Sequence, residues 1–103
     1  MKILLDDWRE PNEKSQYSIV RTYQDCILLI NAFKNNLEFI SLDYDLGADS
    51  EYSGFDVLVY LFENGIHSNH INIHSRHQLG KSRMFSYAEK HFPNSEITNN
   101  KID

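Results

Sequence analysis

Asp6-Asp7, Asp43 with Asp45 two residues on, and His74-Ser75 each follow a short apolar run. Clustered carboxylates supply the oxygen ligands that Mg2+ or Mn2+ requires, usually completed by water and a phosphate oxygen. A histidine beside them can serve as general acid or base. A neighbouring hydroxyl can bond a phosphoryl oxygen. The pattern predicts a combined metal and phosphate site. Asp6, Asp7, Asp43 and Asp45 are the expected metal ligands. His74, Asp43 and His77 are the expected reacting groups, and Ser75, Arg9 and Lys81 the phosphate contacts. Each residue alone has a plainer explanation: aspartates are common in turns, and histidine nitrogens are often satisfied by backbone. Asp45 shares a face with Asp43 only if the strand persists that far; otherwise it shapes the loop. The convergence of the set carries the reading.

Convergence needs a scaffold. Strands are predicted at Lys2–Leu5, Tyr17–Val20, Phe39–Leu42, Ile71–Ile73 and Glu96–Thr98. Helices are predicted at Tyr23–Lys34, Phe55–Asn64 and Lys81–His91. Thr22, with Asp25 three residues on, is the expected cap of the first helix. Cys26, Leu29, Ile30 and Phe33 form its buried face. Ser53 or Gly54 caps the second helix, Gly65 ends it in the left-handed conformation, and Phe55, Leu58, Val59 and Phe62 form its apolar face. Gly80-Lys81 opens the third, whose free N–H groups would attract an anion, although the spacing is not that of a Walker loop. Met84, Phe85 and Ala88 face inward, and Trp8 is expected to pack, with an edge position for base stacking as the alternative. The order gives a three-layer α/β fold: a parallel sheet of about five strands, helices on both faces, and a loop where the first helix would stand. Ligands of such sheets bind outside the carboxyl ends of the strands, where the acids, His74 and Ser75 all lie.

Residues 1–103 make one domain, with 41% hydrophobic and 24% charged residues, an ordinary globular balance. Cys26 is the single cysteine, so no internal disulfide forms, and a reducing cytoplasmic setting is expected. No apolar run suits a signal peptide or a membrane span. The net charge of −5 speaks against a nucleic-acid surface, a phosphate end excepted. Charge is also unevenly distributed. Seven acids and no Lys or Arg lie between Asn35 and Ser75, whereas four bases and one acid lie from Arg76 to Lys90. The basic stretch follows His74-Ser75 directly, where an anion would be met.

The same residues resemble the receiver fold of response regulators: an acidic pair after strand one, an aspartate after strand three, a hydroxyl after strand four. The closer resemblance is to the cyclic-phosphate-processing receiver domain. Its opening Leu-Asp-Asp-x-Arg-x-Pro is similar to Leu5–Pro11. Its Ser-Leu-Asp-His-Asp-Leu-Gly is similar to Ser41–Gly47, with Tyr44 in the histidine's place. Its Gly-x-Asp helix start is similar to Gly54-Phe55-Asp56. Its His-x-His-Ser-x-Asn-Pro-x-Gly is similar to Asn72–Gly80, with Met84 downstream. The resemblance implies a receiver-like (flavodoxin-like) fold. It also implies binding or hydrolysis of a phosphorylated small molecule, such as a cyclic nucleotide or a 2′,3′-cyclic phosphate. Two family histidines are replaced in this chain, by Tyr44 and Asn72, and Asn-Pro becomes His77-Gln78. The alternative is therefore a non-catalytic pseudo-receiver that regulates a protein partner, its last strand free to pair with a second copy. Lys101 is out of register with the lysine of phosphorelay receivers, so aspartate phosphorylation is the least expected reading.

Overall fold

A computed structural model describes residues 1–102. The strands are β1 (Lys2–Leu5), β2 (Ser18–Val20), β3 (Phe39–Leu42), β4 (His70–Ile73) and β5 (Glu96–Thr98). The helices are α1 (Tyr23–Ala32), α2 (Gly54–Glu63) and α3 (Gln78–His91), with a single 3-10 turn at Lys14–Gln16 between β1 and β2. All strand pairs are parallel and the order is β2-β1-β3-β4-β5. This is the expected receiver-like α/β fold. The order reverses between β1 and β3, and the crevice at such a switch point is where open α/β sheets bind ligands.

The layering differs from the expectation in one respect. From β2 onward every crossover steps toward β5, and right-handed connections then place all three helices on one face. α1 packs on α2 and α2 on α3. Ile3, Leu5, Ile40, Leu42, Ile71 and Ile73 alternate toward that layer. They meet Cys26 and Ile30 of α1, Val57, Leu58 and Leu61 of α2, and Met84 and Ala88 of α3. Each such aliphatic side chain contributes about 2 kcal/mol when fully buried. The intervening residues point the other way, by the two-residue period of a strand. They are Leu4, Phe39, Ser41, His70 and Asn72. Tyr17 lies against Phe39 there, and Asn100 docks on Asn72.

Caps set the helix starts. Thr22 accepts the Asp25 amide, and Ser53 makes a reciprocal capping box with Asp56. Gly65 has a φ of +63°, as the end of α2 requires. Three expectations need correction. The buried face of α1 is Cys26 and Ile30, while Phe33 is exposed at the helix's C-cap. The buried face of α2 is Gly54, Val57, Leu58 and Leu61, while Phe62 is 48% exposed and packs its ring edge-on against His91 at the rim. α3 begins at Gln78, three residues before Lys81, because His77 is its cap. Among the described residues, no helix is long and apolar enough to cross a membrane.

Candidate functional site

Asp6, the first residue beyond β1, is fully buried. Its Oδ1 accepts the amides of Trp8 (3.0 Å) and Arg9 (2.8 Å), so the chain turns around this carboxylate. Its Oδ2 accepts from Arg9 Nε at 3.0 Å and contacts His74 Nε2 at 3.1 Å. The other end of the Arg9 guanidinium donates to Asp43 Oδ2 at 3.2 Å. One arginine thus ties the end of β1 to the end of β3. Arg21, just beyond β2, holds the turn from behind by donating to the carbonyls of Asp6 and Arg9.

His74, the first residue beyond β4, is buried, with both ring nitrogens engaged. A carboxylate only accepts, so Nε2 carries a proton toward Asp6. Nδ1 lies 2.6 Å from Ser41 Oγ. Asn72 Nδ2 donates to the same hydroxyl at 3.0 Å, and Asn72 Oδ1 accepts from Thr98 and from the Asn100 amide. A chain of polar groups, half-buried at Thr98 and buried from Asn72 onward, therefore crosses the sheet from β5 to β1 and fixes the ring of His74. Ser41 and Asn72 were not among the expected site residues. Strand alternation marks them: each is a polar residue in an apolar strand, two positions before Asp43 and His74, and they are register partners.

Two clefts of about 380 Å³ open beside this network. The first is cationic, lined by Arg9, His74, Ser75, Arg76, Lys81 and Lys101, with Gln78 and Asn99. It brings together all three expected phosphate contacts, and Arg76, Gln78, Asn99 and Lys101 besides. The second is lined by Asp7, Trp8, Asp43, Asp45 and His77 and shares Arg9, Ser75 and Arg76 with the first. Trp8, expected to pack, is 66% exposed at its mouth. Ser75 Oγ accepts the His77 amide, and His77 Nδ1 accepts the Gly80 amide at 2.9 Å. The Gly80 N–H is therefore not a free anion donor, and only the Nε2 edge of His77 is left for a ligand. The strand does not persist to Asp45, whose Oδ1 instead accepts the Gly47 amide.

The expected metal ligands divide between two positions. One ligand atom from each of Asp6, Asp43 and His74 lies within 4.8 Å of the others. There the Arg9 guanidinium already supplies the positive charge. Asp7, Asp43 and Asp45 instead line the open cleft, but among the described residues only Asp6, Asp43 and His74 bring three ligand atoms within 4.8 Å of one another. Burial, then the charges of Asp6 and Asp45, raise the pKa of Asp7. Burial and then the charge of Asp6 raise that of Asp43.

Asp6 behaves oppositely. Burial raises its pKa, but the bond to His74, the two amides and the charge of Arg9 outweigh this and hold it at about 2. A carboxyl depressed in the folded state adds stability above its unfolded pKa of about 3.9, and that stability is lost as pH falls toward 2. Asp6 is thus expected to contribute about 2 kcal/mol above pH 4. Asp7 and Asp43 have the opposite sign, gaining stability on acidification. Urea unfolding between pH 5 and pH 2 should show a steeper acid loss in wild type than in Asp6→Asn. Parallel curves would contradict the assignment.

The family model of the cyclic-phosphate processing receiver domain matches residues 1–90. Comparison with curated proteins and with solved structures gives no match.

Proposed function

The chain belongs to the cyclic-phosphate processing receiver domain family, and on that premise we propose that it binds a phosphorylated small molecule of the cyclic-phosphate class in the cationic cleft. The observation that carries this reading is the meeting of Arg9, Ser75, Arg76, Lys81 and Lys101 on one cleft beside the strand ends. Ionised donors to a phosphate form the stronger class of hydrogen bond. Arg9 is held in place by Asp6 and Asp43, whose charges raise its pKa against the opposing effect of burial. Its Nε and one terminal nitrogen are engaged by those carboxylates, so it meets the ligand with its remaining N–H groups, already fixed and with little rotamer freedom left to lose.

Asp7, Asp43 and Asp45 would hold Mg2+ or Mn2+ in the adjoining cleft. Such an ion, when bound, would offset phosphate charge and polarise a phosphoryl oxygen. The protein's own groups favour binding over turnover. His74 can move a proton only by releasing Asp6 or Ser41, and Tyr44 and Asn72 stand where the family has histidines. His77 retains one nitrogen on the acidic cleft, where it can donate to a ligand.

The test is a titration of labelled protein with adenosine 2′,3′-cyclic phosphate, with and without millimolar Mg2+ or Mn2+, followed by amide NMR. Saturable shifts are expected at Ser75, Arg76 and Lys81. The metal alone should move Asp7, Asp43 and Asp45. Lys81→Ala should weaken the cyclic phosphate about 10- to 150-fold, the effect of one charge-assisted contact. Phosphorus NMR of the same samples reads hydrolysis. Absence of any saturable shift would sink the ligand reading and leave the protein-interaction module.

A further inference from the structure

We propose that Trp8 is a stacking platform for an aromatic base, so that the ligand is a nucleotide rather than a bare phosphate or a sugar phosphate. The inference rests on the phosphate reading of the cationic cleft and names the other end of the same molecule. Trp8 is the only tryptophan of the chain. Its side chain is 66% exposed, yet its backbone is fixed: the amide bonds Asp6 Oδ1, and the carbonyl of the next residue is held by Arg21. An exposed indole on an anchored turn is pre-organised, so little ordering entropy opposes a ligand that covers it. The Arg9 guanidinium carbon lies 5.9 Å from the ring centroid, close enough for a cation–π contact. The remainder of the indole is open to a ligand.

The surroundings favour a base there. Asp7, Asp43 and Asp45 line the Trp8 cleft; without a bound cation they repel a second anion, and a carboxylate oxygen that a cation leaves free accepts a hydrogen bond from an exocyclic amine. The two clefts share Arg9, Ser75 and Arg76 as a common wall. A ligand lying across that wall would put its phosphate toward Lys81 and Lys101 and its neutral ring on Trp8. Stacking on one aromatic side chain changes affinity about 5- to 150-fold.

Because Trp8 is the sole tryptophan, its fluorescence reports the contact directly. Adenosine 2′,3′-cyclic phosphate and glycerol 1,2-cyclic phosphate, which has no base, are titrated in parallel. The nucleotide should quench the emission and bind at least about fivefold more tightly. Trp8→Ala, read by amide shifts at Ser75 and Lys81, should remove the difference between the two ligands, and Trp8→Phe should restore part of it. Equal affinities in wild type, or an equal loss of both ligands in Trp8→Ala, would overturn the stacking role and leave the phosphate reading standing. Binding of neither ligand would remove that reading and this proposal together.

Discussion

Arg9→Ala is expected to cost about 3–5 kcal/mol of folding stability at neutral pH. Arg9 is the side chain that bonds both Asp6 and Asp43, at 3.0 and 3.2 Å, and the two carboxylates are almost wholly buried. Removing one partner of a buried ion pair leaves the other charge desolvated, which costs more than the pair itself gains. Asp6 would retain two amides and His74, whereas Asp43 would lose its bond to the guanidinium. The pKa of Asp43, already raised by burial and by Asp6, would rise further. A group whose folded pKa is raised gains stability as pH falls through that value. The deficit of the variant should therefore shrink on acidification toward the ordinary carboxylate range near about 4. Arg9→Lys should rescue poorly, because one ammonium cannot reproduce a fork that spans two carboxylates. Denaturant midpoints of the three proteins at pH 7 and at pH 5 decide this. A loss below about 1 kcal/mol at pH 7 would mean that the pair behaves as an ordinary surface salt bridge. The variant also distinguishes the guanidinium from a bound cation as the source of positive charge. If the carboxylates hold a divalent ion, millimolar Mg2+ should stabilise Arg9→Ala more than wild type, by ligand linkage.

Most of this architecture is legible in the sequence because the strands are short apolar runs that stop at acids or turn residues. β3 and β5 fall at the expected positions, and β1 ends directly before Asp6. The helix caps Thr22 and Ser53 belong to the residue types that cap well. The misreadings have physical causes. Between Phe55 and Phe62 nearly every residue of α2 is apolar, so the sequence offers no single stripe, and the neighbouring helices decide which residues are covered. α3 starts early because a histidine ring nitrogen does the work usually left to Ser, Thr, Asp or Asn. Hydrophobicity alone suggests a packed Trp8, but its position follows from the amides that wrap Asp6, which composition does not reveal. Ser41 and Asn72 are recognisable only once the register of β3 and β4 sets them side by side. A polar pair that looks like two weak strand residues is then a support for His74. The charge asymmetry carries through directly: the basic stretch after His74-Ser75 supplies Arg76 and Lys81 to the cationic cleft.

Gly54→Ala is expected to be the second large effect, about 3 kcal/mol. Gly54 is the first residue of α2, and its amide donates to the Tyr44 carbonyl at 3.0 Å. A Cβ at this position would lie 1.9 Å from the Asp43 carbonyl oxygen and 2.8 Å from its carbon. Both are backbone atoms, so no side-chain rotation relieves the clash. Either the start of α2 lifts from the sheet edge, or the peptide after Asp43 turns. The second response would move the carboxylate that Arg9 holds, so stability and site geometry should fail together. Gly65→Ala is the control. Gly65 has a φ of +63° and nothing within 4 Å of an added Cβ, so its cost is only the left-handed backbone, about 1 kcal/mol. Urea unfolding of both variants, with amide shifts of Asp43 and Tyr44 in whatever fraction folds, separates the two reasons for glycine. Gly54→Ala should unfold at a lower midpoint than Gly65→Ala and should perturb Asp43, whereas Gly65→Ala should leave Asp43 in place. Equal midpoints with an unmoved Asp43 would show that the seam between β3 and α2 has slack, and that Asp43 is not positioned by the close approach of this helix.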